Sequence, residues 1–246
     1  MKAVPQPSQQ YLAASNVTAL RFDIKLPLLV ILDLNGCLVV RKGAGIEPRE
    51  NVKQFLHYLL HEHWVMVWSS AMSSNVQRIL NTLLTKEEQA KLVAVWDRSH
   101  FDLTKEQYDS KIQLYKELSR VWESDYIQAK HPYAAIHPWA YWNFYNTVLI
   151  DDTHEKAKSE PFNHLHIPQL LPLKEVSLQP GTTVLGQVAE YLDALRHSGN
   201  VANSIKNEPF KLNDHYNLDW KASGGIETEN VEAGNENMED RPPNED

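Results

Sequence analysis

Short apolar runs of strand length alternate along this chain with longer segments that have the periodicity of one-sided helices. Apolar residues recur at offsets of 0, 3, 4, 7 and 8 from Val52 and again from Val76. Continuous apolar runs are typical of strands covered on both faces. The alternation predicts an α/β fold, a Rossmann-like three-layer sandwich with a mainly parallel central sheet. We predict its strands at residues 26–32, 64–68, 92–96, 147–150 and 164–167.

Further helices are indicated by capping motifs and by one more apolar stripe. Thr85 with Glu88, and Thr104 with Gln107, have the spacing of a capping box, which begins helices. A final helix is predicted from the stripe formed by Val184, Val188, Tyr191 and Leu195.

The negative charge of the chain is concentrated at its carboxyl end. The 246 residues carry a formal charge of -8, yet the last twenty contain eight of the 32 acidic residues and one of the 24 basic ones. We predict a flexible arm over residues 1–20, a domain over 21–212 and a disordered acidic tail over 213–246, because the tail has little apolar surface to offset ordering entropy. The tail is a candidate contact for a protein partner.

Composition excludes several classes of function. Without the tail, 24 acidic residues face 23 basic ones, so the chain lacks the positive surplus of a nucleic-acid-binding protein. No apolar run reaches the ~20 residues of a membrane span. The lone cysteine, Cys37, fits a reducing compartment, and we expect a cytoplasmic or nuclear location. A weak mitochondrial presequence is the alternative for the acid-free amino terminus.

Polar residues follow three of the predicted strands. Asp33 follows the first strand, Ser69 and Ser70 follow the second, and Asp151 and Asp152 follow the strand at 147–150. In parallel α/β sheets, ligands bind beyond the carboxyl ends of the strands. Two adjacent carboxylates after an apolar strand are costly unless a cation or hydrogen bonds satisfy them. The strand ends are therefore the predicted site.

Two of these signals also have a purely local interpretation. Asn35 and Gly36 stand between apolar runs, and Asn-Gly is the strongest short signal for a two-residue hairpin turn. Ser69 and Ser70 are equally suited to cap a helix. Each alternative stays open from its own segment alone.

Taken together, the strand ends describe a site for phosphoryl transfer. An Asp nucleophile needs a neighbouring cation to approach an anionic phosphate, and Ser hydroxyls bind phosphoryl oxygens. Oxygen ligands with Mg2+ neutralise the charge that develops. Lys116 is the candidate for a fixed positive side chain, although an isolated Lys on a helix is usually solvated.

At these positions the sequence resembles a known family. The runs LVILDLNGCL, VMVWSSA, YKELS and NTVLIDDTHEKA are similar to the four ordered motifs of the haloacid dehalogenase (HAD) superfamily. The most similar branch is the RNA polymerase II carboxy-terminal-domain phosphatase-like group, also called NLI-interacting-factor-like. The resemblance covers residues 26–196 and implies a HAD-like fold. It further implies a Mg2+-dependent phosphatase for phosphate esters, phosphoproteins among them, that works through an aspartyl-phosphate.

The resemblance implies a role for each motif residue. Asp33 would attack phosphorus and bind Mg2+, while Lys116 would steady Asp33 and its phosphorylated form. The remaining roles fall to Ser69 and Ser70 as phosphate-binding residues, and to Asp151, Asp152 and the main-chain carbonyl of Asn35 as metal ligands.

The sequence departs from the family at Asn35, where the family has a second Asp. An amide does not exchange protons as a carboxyl group does, and losing a general acid–base costs about 10²–10⁴-fold in rate. A slow phosphatase, an enzyme for good leaving groups, a phosphotransferase with a persistent aspartyl-phosphate and a binding module all remain open.

Two non-catalytic interpretations compete with the enzyme. One is a pseudophosphatase that binds protein partners, similar to the mitochondrial inner-membrane translocase receptor subunit of the same branch. Retention of Asp33, Ser69, Lys116 and the Asp pair argues against it. The other is a scaffold for the acidic tail.

Three further features are assigned to structure. The aromatic interval at 123–145 is interpreted as a surface excursion packed by its own side chains, with a loop overhanging the site as the alternative. His164 and His166 lie on one strand face, but a zinc site needs more ligands. Cys37 is interpreted as a small buried residue and not as a reactive thiol.

Overall fold

The centre of the fold is a parallel sheet. The computed structural model describes residues 4–42, 45–171, 178 and 182–212. Its sheet contains β1 (Leu29–Leu32), β4 (Trp64–Trp68), β5 (Val95–Trp96), β6 (Thr147–Asp151) and β7 (His164–His166), in the order β5-β4-β1-β6-β7. All four pairings are parallel. An antiparallel pair, β2 (Val39–Lys42) and β3 (Gly45–Pro48), stands apart from it.

Helices connect the strands and cover both faces of the sheet. The described α-helices are α1 (Gln9–Ser15), α2 (Val52–Glu62), α3 (Ser73–Leu83), α4 (Lys86–Ala90), α5 (Lys105–Tyr108), α6 (Ser119–Trp122), α7 (Asp125–Gln128), α8 (Val184–Leu195) and α9 (Val201–Asn207). Short 3₁₀ helices lie at Arg98–Phe101, His154–Ala157 and Pro161–Asn163.

Alternate residues of β1 enter two separate apolar cores. Val30 and Leu32 pack with the apolar stripes of α2, α3 and α8 on one face. Leu29 and Ile31 pack with Trp68 and its neighbours on the other. Both sets are fully buried, and each such aliphatic side chain contributes about 1.5–3 kcal/mol relative to exposure. The predicted three-layer α/β sandwich is therefore confirmed.

The predicted elements differ from the observed ones mainly at their ends. The strand at 64–68 is confirmed without change, whereas the one expected at 92–96 forms its ladder over Val95–Trp96. Both capping boxes are present, at the starts of α4 and α5. In the first box, Thr85 Oγ1 accepts from the Glu88 amide at 3.2 Å.

The flexible arm predicted for residues 1–20 contains a packed helix. Helix α1 lies against α9, and Tyr11 is buried. Asn200 Nδ2 donates to the carbonyls of Ala14 and Val17, and Asn203 Nδ2 donates to that of Ser15. The prediction failed because these anchors lie about 185 residues away in sequence. The acidic tail at 213–246 lies outside the described residues.

The aromatic interval at 123–145 forms a packed excursion at the amino ends of the strands. Trp142 is fully buried, with its ring 5.9 Å from that of Trp64. A pocket of about 510 Å³ lies between this segment and Leu26, Pro27 and Leu28, which precede β1. The excursion therefore lies at the edge of the sheet opposite Asp33, and the overhanging-loop alternative is wrong.

No helix within the described ranges combines the length and the apolar character that crossing a lipid bilayer requires.

One buried histidine makes the stability of the fold depend on pH. His63, at the end of α2, is buried beside Tyr58, whose hydroxyl lies 3.2 Å from its Nε2. Burial lowers the pKa of His63 from 6.5 to about 3. Because this pKa is depressed in the folded state, the neutral form contributes fully above pH 6.5, and stability is lost as the pH falls below it.

We therefore expect the free energy of unfolding to fall by up to about 2 kcal/mol between pH 6.5 and about pH 5 through His63. In His63→Gln this slope should be shallower. The control is His61→Gln, which alters a 74% exposed side chain on the same helix. Urea unfolding at several pH values measures the slope, and equal slopes in wild type and His63→Gln would contradict the assignment.

Candidate active site

Parallel register brings the predicted strand-end residues to one edge of the sheet. Leu32 is paired with Val67 of β4 and with Ile150 of β6. Asp33 and Asp151 therefore lie side by side at the ends of adjacent strands, and the Asp33 amide donates to the Ile150 carbonyl at 3.0 Å.

Lys116 bridges these two aspartates inside the protein. Its Nζ lies 2.8 Å from Asp33 Oδ1 and 2.6 Å from Asp151 Oδ2. All three residues are at most 1% exposed. Lys116 lies in the loop before α6 and not on a solvated helix face. Lys116 therefore lies where the phosphoryl-transfer hypothesis predicts a fixed positive side chain.

A second lysine, which the sequence analysis did not select, completes the cluster. Lys156 Nζ lies 3.3 Å from Asp33 Oδ2, 3.0 Å from Asp151 Oδ1 and 3.7 Å from Asp152 Oδ1. It follows Asp152 by four residues, a spacing that brings side chains together in helical turns. That spacing was the available signal. Asp33, Asp151, Asp152, Lys116 and Lys156 are called the ion cluster below.

Hydrogen bonds join the two segments that carry Lys116 and Lys156. The Lys116 amide donates to the Lys156 carbonyl at 2.7 Å. Two residues later, the Leu118 amide donates to Glu160 Oε2 at 2.8 Å, and Ser159 Oγ also donates to this oxygen. Burial raises the pKa of Glu160. The Lys116 loop is therefore fixed against the segment that carries Lys156.

Burial and charge pairing together shift the pKa values of three residues in the ion cluster. Burial alone would raise the pKa of Asp151, but the ammonium groups of Lys116 and Lys156 outweigh it and lower that pKa to about 2. Burial raises the pKa of Asp152, and the charge of Lys156 opposes this only in part. Burial alone would lower the pKa of Lys156, but Asp33, Asp151 and Asp152 raise it well above its usual range. Asp151 and Lys156 are therefore both charged.

The segment after Asp33 is a tight turn and not the hairpin that Asn35-Gly36 suggested. Strand β1 pairs in parallel on both sides, so it has no hairpin partner. Gly36 has a φ of 91°, and its carbonyl accepts from the Leu170 amide at 2.7 Å. Arg49 donates to the carbonyls of Cys37 and Pro168 at 2.6 Å each. Arg49 thus anchors this turn, another contribution that the sequence analysis missed.

The remaining predicted residues are placed unequally around the cluster. Asn35 is exposed and Ser70 is half-buried. Ser69 is buried directly after β4, and its Oγ accepts from the Ala71 amide at 3.3 Å. Helix α3 begins at Ser73, so the helix-cap alternative for Ser69 and Ser70 is wrong. The Ser69 hydroxyl makes no hydrogen bond to Asp33. The two residues are neighbours because each directly follows one of two paired strands, β4 and β1.

The carboxylates of the ion cluster also fit a divalent cation. One oxygen from each of Asp33, Asp151 and Asp152 lies within 4.8 Å of the others. Carboxylate oxygens are the ligands that Mg2+ prefers. A search of the described residues for acidic, His and Cys side chains spaced to bind a metal finds this group.

Histidine and cysteine side chains near the site have structural contacts. Nε2 of His164 lies 3.1 Å from the carbonyl oxygen of Asp151, and Nε2 of His166 lies 3.0 Å from that of Asp152. The Cys37 thiol is buried and lies 3.7 Å from the Ile150 carbonyl. Burial raises the pKa of this thiol, with a further contribution from Asp33. These contacts support the assignment of all three residues to structure.

Gly36 offers a direct test of this geometry. A Cβ at Gly36 would lie 2.5 Å from Asp152 Oδ2, and the φ of 91° is unfavourable for other residues. We expect Gly36→Ala to lower the free energy of unfolding by about 1–3 kcal/mol. Gly45→Ala, at a glycine without a positive φ, should cost less than about 1 kcal/mol. Urea unfolding compares the two, and equal losses would show that the turn relaxes freely.

Comparison with known proteins shows the family to which the chain belongs. Residues 28–202 match the family model described as NLI interacting factor-like phosphatase. An uncharacterized FCP1 homology domain-containing protein of Schizosaccharomyces pombe is 34% identical over 221 residues, which cover 85% of this chain and 86% of that protein. The crystal structure of an uncharacterized protein from Listeria monocytogenes serotype 4b has a TM-score of 0.41 at 13% identity, covering 69% of this chain and 98% of the other. Since the family match includes the whole sheet and the ion cluster, the chain belongs to the NLI interacting factor-like phosphatase family.

Proposed function

We propose that this chain is a phosphatase of low turnover that transfers the phosphoryl group of aryl phosphate esters to Asp33. The observation that carries the proposal is the contact between Asp33 and Lys116, both buried at the sheet edge. Burying charged groups costs stability unless every charge is paired, so ionic clusters in such positions are often retained for chemistry. Membership in a phosphatase family supports the same conclusion.

Asp33 is the nucleophile in this proposal. As one of its carboxylate oxygens forms a bond to phosphorus, the bond from phosphorus to the ester oxygen breaks and the departing oxygen keeps the electron pair. Lys116 holds Asp33 Oδ1 at 2.8 Å, which fixes the orientation of the carboxylate. Ser69, buried at the end of the neighbouring strand, and the half-buried Ser70 supply hydroxyls for the phosphoryl oxygens.

Mg2+ belongs to this proposal as the cofactor. Asp33, Asp151 and Asp152 would hold it together with the main-chain carbonyl of Asn35. When bound, Mg2+ supplies positive charge that neutralises phosphoryl oxygens.

The amide of Asn35 selects the substrate class. It has no acidic proton to give to the departing oxygen, so the leaving group must be stable as an anion. A phenol has a pKa near 10 and leaves as phenolate far more readily than an aliphatic alcohol leaves as alkoxide. Among phosphoproteins, phosphotyrosine is therefore the favoured substrate over phosphoserine.

Asn35 also slows the second half of the reaction. Hydrolysis of the aspartyl-phosphate requires a water to lose its proton, and position 35 has no carboxylate to accept it. The phosphorylated Asp33 therefore accumulates. Turnover is limited by the step in which the phosphoryl group leaves Asp33, either to water or to another acceptor.

The test measures phenol release from an aryl phosphate in the presence of Mg2+ on the millisecond to minute scale. We expect the wild type to release about one equivalent rapidly and then to turn over slowly. Asp33→Asn should abolish both phases. Asn35→Asp should raise the steady rate at least about tenfold, because it restores the general acid–base.

The relative rates on two phosphopeptides show whether the low activity is due to the missing acid at position 35 or to a loss that is the same for all substrates. The Asn35→Asp variant should gain more on a phosphoserine peptide than on the matched phosphotyrosine peptide, since the poorer leaving group depends more on the acid. Absence of activity in both the wild type and Asn35→Asp would overturn the enzyme proposal. Tight binding of a basic presequence peptide would in that case support the non-catalytic interaction protein.

A further inference from the structure

The ammonium of Lys156 lies among the carboxylates that would bind a metal. It contacts one oxygen from each of Asp33, Asp151 and Asp152, at 3.3, 3.0 and 3.7 Å. The same three residues form the group whose oxygens come within 4.8 Å of one another. Lys156 and a divalent cation would therefore use the same three carboxylates.

The position of Lys156 is set by its surroundings. It lies on the 3₁₀ helix His154–Ala157 immediately after the Asp pair, where its amide donates to the Thr153 carbonyl at 3.2 Å. Its own carbonyl accepts from the Lys116 amide. The side chain is 13% exposed, so water has little access to the ammonium. The main chain of Lys156 is therefore held both by its own helical turn and by the Lys116 loop.

The positive charge of Lys156 opposes the binding of a divalent cation at the same carboxylates. The ion cluster combines three carboxyl groups with two lysines, so two cationic side chains already pair with three acidic ones. Lys116 is already shared by Asp33 and Asp151 at 2.8 and 2.6 Å. A divalent cation on the same oxygens would meet the ammonium of Lys156 at close range, where like charges repel strongly in a weakly solvated site.

We propose that Lys156 is an internal cation that competes with divalent metal ions for the oxygens of Asp33, Asp151 and Asp152. Without metal, the ammonium keeps the carboxylates paired. Metal binding displaces the side chain from them, so the cluster binds Mg2+ more weakly than its three carboxylates alone would. This inference rests on the proposed function and names how its metal site is regulated. Because metal affinity is measured without turnover, the Lys156 proposal and the phosphatase proposal can fail separately.

The test is the affinity of the 246-residue chain for Mn2+, measured by the loss of the free-ion signal in electron paramagnetic resonance. Lys156→Met should bind Mn2+ at least about tenfold more tightly than the wild type, because a competing charge is removed. Lys158→Met is the matched control. It removes the same charge from an exposed residue two positions away and should change the affinity by less than about twofold, since exposed charges are screened.

A second variant and a second measurement keep the proposal testable if Lys156→Met does not fold. Lys156→Arg retains the charge and should not bind Mn2+ more tightly than the wild type. In the wild type labelled with 15N-lysine, the ammonium signal of Lys156 should shift as Mg2+ saturates the protein. Equal Mn2+ affinities in wild type and Lys156→Met, or Mg2+ saturation without any shift of that signal, would overturn the proposal.

Discussion

Three buried carboxylates at the edge of the sheet require cations, and the surroundings of the site follow from this requirement. An unpaired buried charge is unfavourable by several kcal/mol, whereas a well-paired one is tolerated. Lys116 and Lys156 supply the pairing, and the bond between their main chains makes their positions interdependent. Glu160 also helps to position Lys116, because its carboxyl group accepts a hydrogen bond from the Leu118 amide in the Lys116 loop.

The sheet and its functional edge could be predicted from the sequence because both depend on local patterns. Apolar runs such as residues 64–68 are long enough to define a strand, and stripes such as the one beginning at Val52 define a helix. Once the strands are parallel, their carboxyl ends lie together. The proximity of Asp33 and Asp151 then follows from the order of the elements, without knowledge of any side-chain contact.

The features that were missed depend on contacts between distant segments. Helix α1 is held by Asn200 and Asn203 of the other end of the domain, and polar side chains of this kind have no periodic signal. The Asn-Gly turn was ambiguous because its hairpin and tight-turn forms use the same residue types. The tight turn is stabilised by Arg49, which donates to the carbonyls of Gly36 and Cys37 within the turn and to that of Pro168.

Asn35 and Lys156 alter the electrostatics of the site in the same direction. An Asp at position 35 would add a carboxylate two residues after Asp33, whereas Asn35 adds no charge to the three carboxylates and two lysines of the ion cluster. The lower negative charge weakens the attraction for a divalent cation and also reduces the repulsion of a phosphate dianion. In the proposed phosphatase, substrate binding would therefore gain from Asn35, which we propose slows proton transfer, and from Lys156, which we propose weakens metal binding. We therefore expect a site of this charge to capture and hold a phosphoryl group more readily than it releases one.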